Sequence, residues 1–255
     1  MTITEIKELY KKTDKENEKE LSEFICKISG DDRKSVVDIA AKAGKDIEKI
    51  HAEEARTEKM YTFEKKYTEL GKLYICGIDE VGRGPLAGPV VAGAVILPSD
   101  EKILYLNDSK QLSAKKREEL YDIIIEKAVA YGIGIVSEAT IDEINILQAT
   151  YEAMRRAIKN LRVKPDCLLN DAVNIPMVDI PQVPIIKGDT LSASIAAASI
   201  IAKVTRDRMM KEYDELYPGY DFGSNMGYGS ARHIDAIKTT GPCPIHRKTF
   251  IKNFV

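Results

Sequence analysis

The sequence predicts an α/β domain preceded by a small helical module. Three observations carry that reading. Residues 1–72 are dense in Lys and Glu and set their apolar residues at helical spacing. From residue 73 onward, short apolar runs alternate with longer helical patterns, as in a sheet covered by helices. The length of 255 residues suits one large domain with an appendage.

In the N-terminal module, Ile3, Ile6, Leu9, Leu21, Phe24, Ile25 and Ile28 predict one amphipathic helix, which Gly30, Asp31 and Asp32 end. Val36, Val37, Ala40, Ala43, Ile47 and Ile50 predict a second, and Ala52 to about Tyr67 a third. The boundary falls at 72, giving a helical extension over 1–72 and a catalytic domain over 73–255. In that domain, Tyr74–Ile78 reads as a strand, and Val90–Leu97 as another, fenced by Pro89 and Pro98. Ser113 to Ala130 reads as a helix with Ser113 as its N-cap. Ala130–Val136 is a strand. Leu147 to Leu161 is a helix with Leu147, Tyr151, Met154, Ile158 and Leu161 on one face. Cys167–Leu169 and Val183–Ile186 are short strands, and Ser192 to about Tyr213 is a long Ala-rich helix. Its run IAAASIIA is small and apolar, which suits a helix packed tightly on a sheet.

Composition narrows the class. Apolar residues make up 44% and charged residues 31%, as in a soluble protein with a core. The longest apolar runs, Pro89–Pro98 and Ser194–Ala202, are too short to span a bilayer. The N-terminus has no apolar core of a secretory signal. Cys26, Cys76, Cys167 and Cys243 form no C-x-x-C pair, which argues against zinc or a disulfide framework and for the cytoplasm. Net charge is −2, yet Asn225–Val255 carries Arg232, Lys238, Arg247, Lys248 and Lys252 against Asp235 alone. That local basicity is either a solvated tail or a face for phosphates.

The segment GIDEVGRGPLAGPVVAGAVIL is the most informative. Asp79 and Glu80 end an apolar strand, where buried charge is costly without a cation. Asp171 follows CLLN, and Asp189 follows VPIIKG ahead of the long helix. Acids at strand ends in an α/β sheet stand where ligands bind. Four such acids would repel one another unless a cation lies between them. Mg²⁺ and Mn²⁺ take oxygen ligands, and a pair of them can drive phosphodiester hydrolysis. Taken singly, Asp189 also reads as a helix N-cap and Asp171 as a turn residue. Gly82, Gly84 and Gly88 are spaced G-x-G-x-x-x-G, one residue too long for a dinucleotide fingerprint, and Pro85, Pro89 and the β-rich run after them oppose the required helix. No P-loop motif occurs. Gly82-Arg83-Gly84 instead suits close approach of backbone amides to a sugar-phosphate, with Arg83 on a phosphate.

These segments, with LNDSKQLS, NDAV, KGDTLSASIAAASIIAKVTRDR, GYGSARH and GPCPIHRKTF, resemble the ribonuclease HII family, the bacterial type 2 ribonucleases H. The likeness covers residues 72–255, with the motifs in the family's order, and the N-terminal module resembles an extension that some members carry. The resemblance implies an RNase H-like fold, a mixed sheet flanked by helices with a C-terminal helical segment. It implies that Asp79, Glu80, Asp171 and Asp189 hold two Mg²⁺ or Mn²⁺ ions when substrate is bound. It implies that Gly82, Arg83 and Gly84 meet the backbone and 2′-hydroxyl of a ribonucleotide, that Ser109 and Lys110 contact phosphate, and that Tyr228 stacks on the following deoxyribose. The implied substrates are RNA/DNA hybrids and duplex DNA with embedded ribonucleotides, cut 5′ of the ribonucleotide to leave a 3′-hydroxyl and a 5′-phosphate by a monomer free of any membrane. Gln111, Met226 and Ser230 stand where the family often has Lys, Lys and Thr, and Asn170 where it has an apolar residue. Two rival readings are another RNase H-like nuclease, of the junction-resolvase type, and a non-catalytic nucleic-acid binder.

Three smaller expectations complete the reading. Lys203 and Asp207, four residues apart, form an ordinary helix-face ion pair. His51, His233 and His246 lack metal-ligand spacing. His246 and Arg247 are expected on the basic C-terminal face.

Overall fold

The computed structural model describes all 255 residues. Contacts divide the chain into two compact units, Met1–Lys59 and Met60–Val255.

The first unit contains α1 (Ile3–Lys12), α2 (Glu18–Ile28) and most of α3 (Lys34–Met60). The single helix expected over residues 3–28 is two, because Thr13–Asn17 interrupts it and Asn17 caps α2 by accepting from the Glu20 amide. The second and third expected helices are largely one, α3, since nothing between Ile50 and Ala52 breaks the pattern. Ile6, Leu21, Phe24, Ile28, Val36, Ala43 and Ile50 form the core of this unit. Asp46 is a polar group set against it, and its carboxylate accepts from the Tyr10 hydroxyl and from Lys49 Nζ.

The second unit opens with α4 (Thr62–Glu69), followed by β1 (Ile75–Val81) and β2 (Val90–Ile96). Then come α5 (Ala114–Lys127), β3 (Ala130–Val136), α6 (Glu138–Lys159), β4 (Cys167–Asp171) and β5 (Gln182–Ile185). The chain continues through α7 (Gly188–Leu191), α8 (Ala193–Leu216), α9 (Phe222–Asn225), α10 (Ala231–Thr240) and α11 (Lys248–Ile251). The five strands form one mixed sheet in the order β3-β2-β1-β4-β5. β1 runs antiparallel to β2 and parallel to β4, and β4 runs parallel to β5. This is the predicted α/β architecture, with α6 reaching nine residues further back than its apolar stripe. Asn145 kinks it at φ 68° and caps its second part by accepting from the Leu147 and Gln148 amides.

Both faces of the sheet are covered, so its central strands are apolar throughout. Cys76, Ile78, Val90, Ala92, Ala94 and Ile96 pack towards α6. The alternate residues face α8, and there glycine decides how close the helix comes. A β-carbon on Gly77 would stand 2.0 Å from the Ser194 carbonyl carbon, and one on Gly93 would stand 2.4 Å from the Ala198 oxygen. The small run Ala196–Ala198 therefore lies directly on β1 and β2. Ser192 caps α8 and is itself held by Glu64 of α4, whose carboxyl accepts from the Ser192 hydroxyl at 2.6 Å and the Ser194 amide at 2.9 Å.

Candidate active site

The sheet register brings the predicted acids to one edge. β1 and β4 are parallel and paired through Ile78 and Asn170, so Asp79 and Asp171 follow at the next position of neighbouring strands. Asp171 in turn pairs with Ile185 of β5. Two residues beyond Ile185, Lys187 takes a left-handed φ of 58° and turns the chain into α7. The Gly188 amide then donates to Asp171 Oδ1 at 2.8 Å. This contact ties Asp189, the next residue, to the same edge. All four acids thus stand at the carboxyl ends of three parallel strands, where open α/β sheets bind ligands.

The acids strain one another electrostatically. Burial and then the Glu80 charge push the Asp79 carboxyl well above its ordinary range, with Asp171 adding to the effect. Glu80 is raised by burial and by Asp171, although Arg83 opposes this from 3.5 Å. Asp189 is raised by burial, then by Asp108 and Asp171, while Lys110 opposes. Ser199 of α8 opposes the rise at Asp79, and its hydroxyl lies 3.0 Å from that of Ser109. Lys110 lies within the field of Asp108, Asp79, Asp189 and Tyr228; burial lowers its pKa, but the acids prevail and the net shift is upward.

As a donor set the cluster fits a hard divalent cation. It offers carboxylate oxygens only, and the raised pKa values of Asp79, Glu80 and Asp189 are what a cation relieves. No three His, Cys, Asp or Glu side chains are drawn into a ready-made cage for one ion.

Beside the acids lie the predicted recognition residues. β1 ends at Val81, and Gly82 turns the chain at a φ of 93° with the Arg206 side chain packed beneath it. Gly84 faces the Tyr228 ring, 3.7 Å from where its β-carbon would be. Tyr228 is 45% exposed. The Gly227 carbonyl accepts from the Leu86 amide at 2.8 Å, joining the two loops. Gly82, Arg83, Gly84, Lys110 and Tyr228 are therefore neighbours of the acids. Ser109 is buried against Ser199 rather than presented at the surface.

Several residues here had no signal in the sequence. Asp108 lies in the field of Asp189 and helps raise its pKa, yet it reads as a turn residue. Arg247 and His246 were expected on a basic face, but both are buried. Arg206 is also buried, while its neighbour Asp207 makes the expected pair with Lys203 at 2.6 Å. His233 and His246 meet through their Nε2 atoms at 3.0 Å. The Tyr228 carbonyl can only accept, so His233 Nδ1, at 2.8 Å, carries the proton. His233 Nε2 is then an acceptor, His246 Nε2 the donor to it, and His246 Nδ1 accepts from the Cys243 amide at 2.9 Å. Every ring nitrogen of the pair is used.

Comparison with known proteins gives a consistent result. The sequence model of the Ribonuclease HII family matches residues 76–253, and that of the Ribonuclease HII N-terminal domain matches residues 2–68. Ribonuclease HII of Lachnoclostridium phytofermentans is 64% identical over 227 residues, 89% of each chain. That of Clostridioides difficile is 52% identical over 254 residues, 100% of this chain and 98% of the relative. Among solved structures, ribonuclease H2 of Pyrococcus horikoshii superposes with a TM-score of 0.59 at 29% identity, covering 71% of this chain and 96% of the other. The RNase HII of Archaeoglobus fulgidus, solved in complex with PCNA, gives 0.60 at 29% identity with the same coverage.

Proposed function

The chain belongs to the ribonuclease HII family and is a metal-dependent endoribonuclease, and from that premise we propose that it cuts the RNA strand of RNA/DNA hybrids and nicks duplex DNA on the 5′ side of an embedded ribonucleotide. The products are a 3′-hydroxyl and a 5′-phosphate. The observation that carries the reading is the meeting of four strand-end acids with the Gly82–Gly84 loop and Tyr228 at one sheet edge.

Asp79, Glu80, Asp171 and Asp189 are the residues we assign to two Mg²⁺ or Mn²⁺ ions. When bound, such ions lower the pKa of the attacking water and stabilise the leaving 3′-oxygen. The chain's own groups do the rest. Ser199, backed by Ser109, orients Asp79. Arg83 and Lys110 stand beside the acids as cations for the phosphates on either side of the cut. Gly84 admits a ribose closely because no side chain intervenes there beside the Tyr228 ring, whereas the missing β-carbon of Gly82 makes room for Arg206 beneath the loop. Tyr228 offers an exposed ring for stacking on the next sugar, and stacking combined with one 2′-hydroxyl contact distinguishes an RNA-to-DNA junction from plain DNA.

We assign this chemistry to residues 73–255 and treat residues 1–72 as an accessory helical extension. No helix is long and apolar enough to cross a membrane, and all four cysteines are free, which fits the reducing cytoplasm we assign to it.

The test is incubation of a DNA duplex carrying one ribonucleotide with Mg²⁺ or Mn²⁺, and in parallel with EDTA. Metal-dependent cutting immediately 5′ of the ribonucleotide is expected. Cutting of a long RNA/DNA hybrid but not of this duplex would withdraw the junction reading. Cutting of neither would remove the function.

A further inference from the structure

Two arginines in the interior have no acid partner. Arg206 of α8 and Arg247, just before α11, are both fully buried. Their guanidinium groups are filled by backbone carbonyls instead. Arg206 donates from Nε to Pro89 O at 2.9 Å, from Nη2 to Ala87 O at 3.1 Å and from Nη1 to Met226 O at 2.8 Å. Arg247 donates from Nε to Gly88 O at 2.9 Å and from Nη1 to Arg83 O at 3.0 Å. Its Nη2 serves Gly82 O at 2.6 Å and Gly88 O at 2.8 Å.

Burying two like charges with no counter-charge is expensive, and an apolar side chain of similar volume would be cheaper. Burial draws Arg206 down to about 10, and burial together with Arg206 draws Arg247 down to about 9. What the molecule gains is geometry. Five of the six carbonyls belong to Gly82–Pro89, and the sixth, Met226, lies two residues before Tyr228.

The orientation of those carbonyls has a direct consequence. No peptide bond in the chain is cis, and in a planar trans peptide the N–H points opposite to the C=O. With Gly82 O and Arg83 O turned inward to Arg247, the Arg83 and Gly84 N–H groups are turned outward. Neither amide donates to an acceptor within the chain. Arg206 links this loop to the segment that carries Tyr228.

We propose that Arg247 and Arg206 are positioning residues: Arg247 aims the Arg83 and Gly84 amides at the ribose 2′-hydroxyl, and Arg206 holds Tyr228 in register with them. The inference rests on the function proposed above. Lysine cannot replace either residue, because a single ammonium lacks the planar fork that serves several carbonyls at once.

The experiment compares binding of a duplex carrying one ribonucleotide with binding of the same duplex in all-DNA form, in EDTA so that no cutting intervenes. Wild type is expected to prefer the ribonucleotide. Arg247→Lys should lose about tenfold of that preference, the worth of one or two hydrogen bonds, with all-DNA affinity nearly unchanged. Arg206→Lys should lose less. Equal weakening on both duplexes, or a retained preference in a folded variant, would overturn the assignment. A wild type that makes no distinction would remove the proposed function and this inference with it, and that outcome is read in the wild-type arm alone. If Arg247→Lys does not fold, amide exchange in wild type decides. The Arg83 and Gly84 amides should exchange fast when free and be protected by the ribonucleotide duplex but not by DNA; equal protection by both overturns the proposal.

Discussion

The acid edge of the sheet and the basic knot beneath the Gly82–Pro89 loop both bury charge, and they treat it in opposite ways. Asp79, Glu80 and Asp189 are raised by burial and by neighbouring acids, with Arg83 and Lys110 nearby to offset them. Arg206 and Arg247 are as deeply buried, but their forks are filled with carbonyls. His233 and His246 continue the same pattern with every ring nitrogen engaged. The difference teaches how to read buried charge. A group left in electrostatic debt is waiting for a partner from outside the chain, whereas a group fully satisfied from within is holding something in place.

The sharpest way to break this contrast is Asp79→Asn. It should lower metal-dependent cleavage by at least about 10³-fold, as loss of a group central to transition-state electrostatics does. It should also leave the melting temperature of the metal-free protein unchanged or raised, because a repelling charge is gone. A variant that cleaves at near-normal rate, or that unfolds, would place Asp79 among the structural charges.

Tyr228→Ala tests the edge from the recognition side. Loss of one stacking face costs about 1–3 kcal/mol, so cleavage at a single ribonucleotide should fall roughly tenfold to a hundredfold, with Tyr228→Phe close to wild type. Equal rates for Tyr228→Ala and wild type would remove stacking from the account.

The two regions should also respond to pH with opposite sign. Asp79 is raised above its ordinary 3.8, so the folded state binds more protons than the unfolded one above that value, and its contribution to stability falls as pH rises from there. His246 is lowered from 6.5 to about 4 by burial, so the unfolded state binds more protons in that window and stability is lost as pH falls through it. Protonation of His246 would also set its Nδ1–H against the Cys243 amide N–H. Denaturant unfolding of the metal-free protein from pH 4 to 7 should therefore show the falling slope reduced in Asp79→Asn, with Glu80 and Asp189 keeping the remainder, and the rising slope flattened in His246→Gln. Profiles that match wild type in both variants would sink the assignment.

The smallest effect belongs to Asp142, an acid that sits with the satisfied groups. Burial alone would raise it, but donors from Thr249 and Lys248 bring it below the usual range. It accepts from the Lys248 amide at 2.7 Å, the Thr249 amide at 2.9 Å and the Thr249 hydroxyl. Asp142→Ala should cost about 1 kcal/mol of stability, as loss of a helix cap does, with Mn²⁺ affinity unchanged. A loss of metal binding would move Asp142 to the other class.

Much of the fold was legible in the residues. β3 runs over Ala130–Val136 as its pattern predicted, and Ser113 caps α5 by accepting from the Lys116 amide. These are local signals, set by side-chain period and by the needs of helix ends. The N-terminal helices were misjudged because apolar spacing alone does not register the five-residue break before α2, nor the unbroken run of α3 through Ile50–Ala52. The acids were legible because charge directly after an apolar strand is costly wherever it occurs, and the family motifs name the same residues. Asp108 and Ser199 were not, since one reads as a turn and the other as a small residue on an Ala-rich helix.

The sequence by itself therefore determined the α/β class, most of the elements and the place of the four acids after apolar strands, because each is a property of a few adjacent residues. Only the tertiary structure decided that Arg206 and Arg247 are interior clamps, that His233 and His246 pair, and that Gly84 faces Tyr228. Those relations join residues up to 165 positions apart. An arginine in a sequence looks like surface charge until the carbonyls that fill its fork have been brought to it.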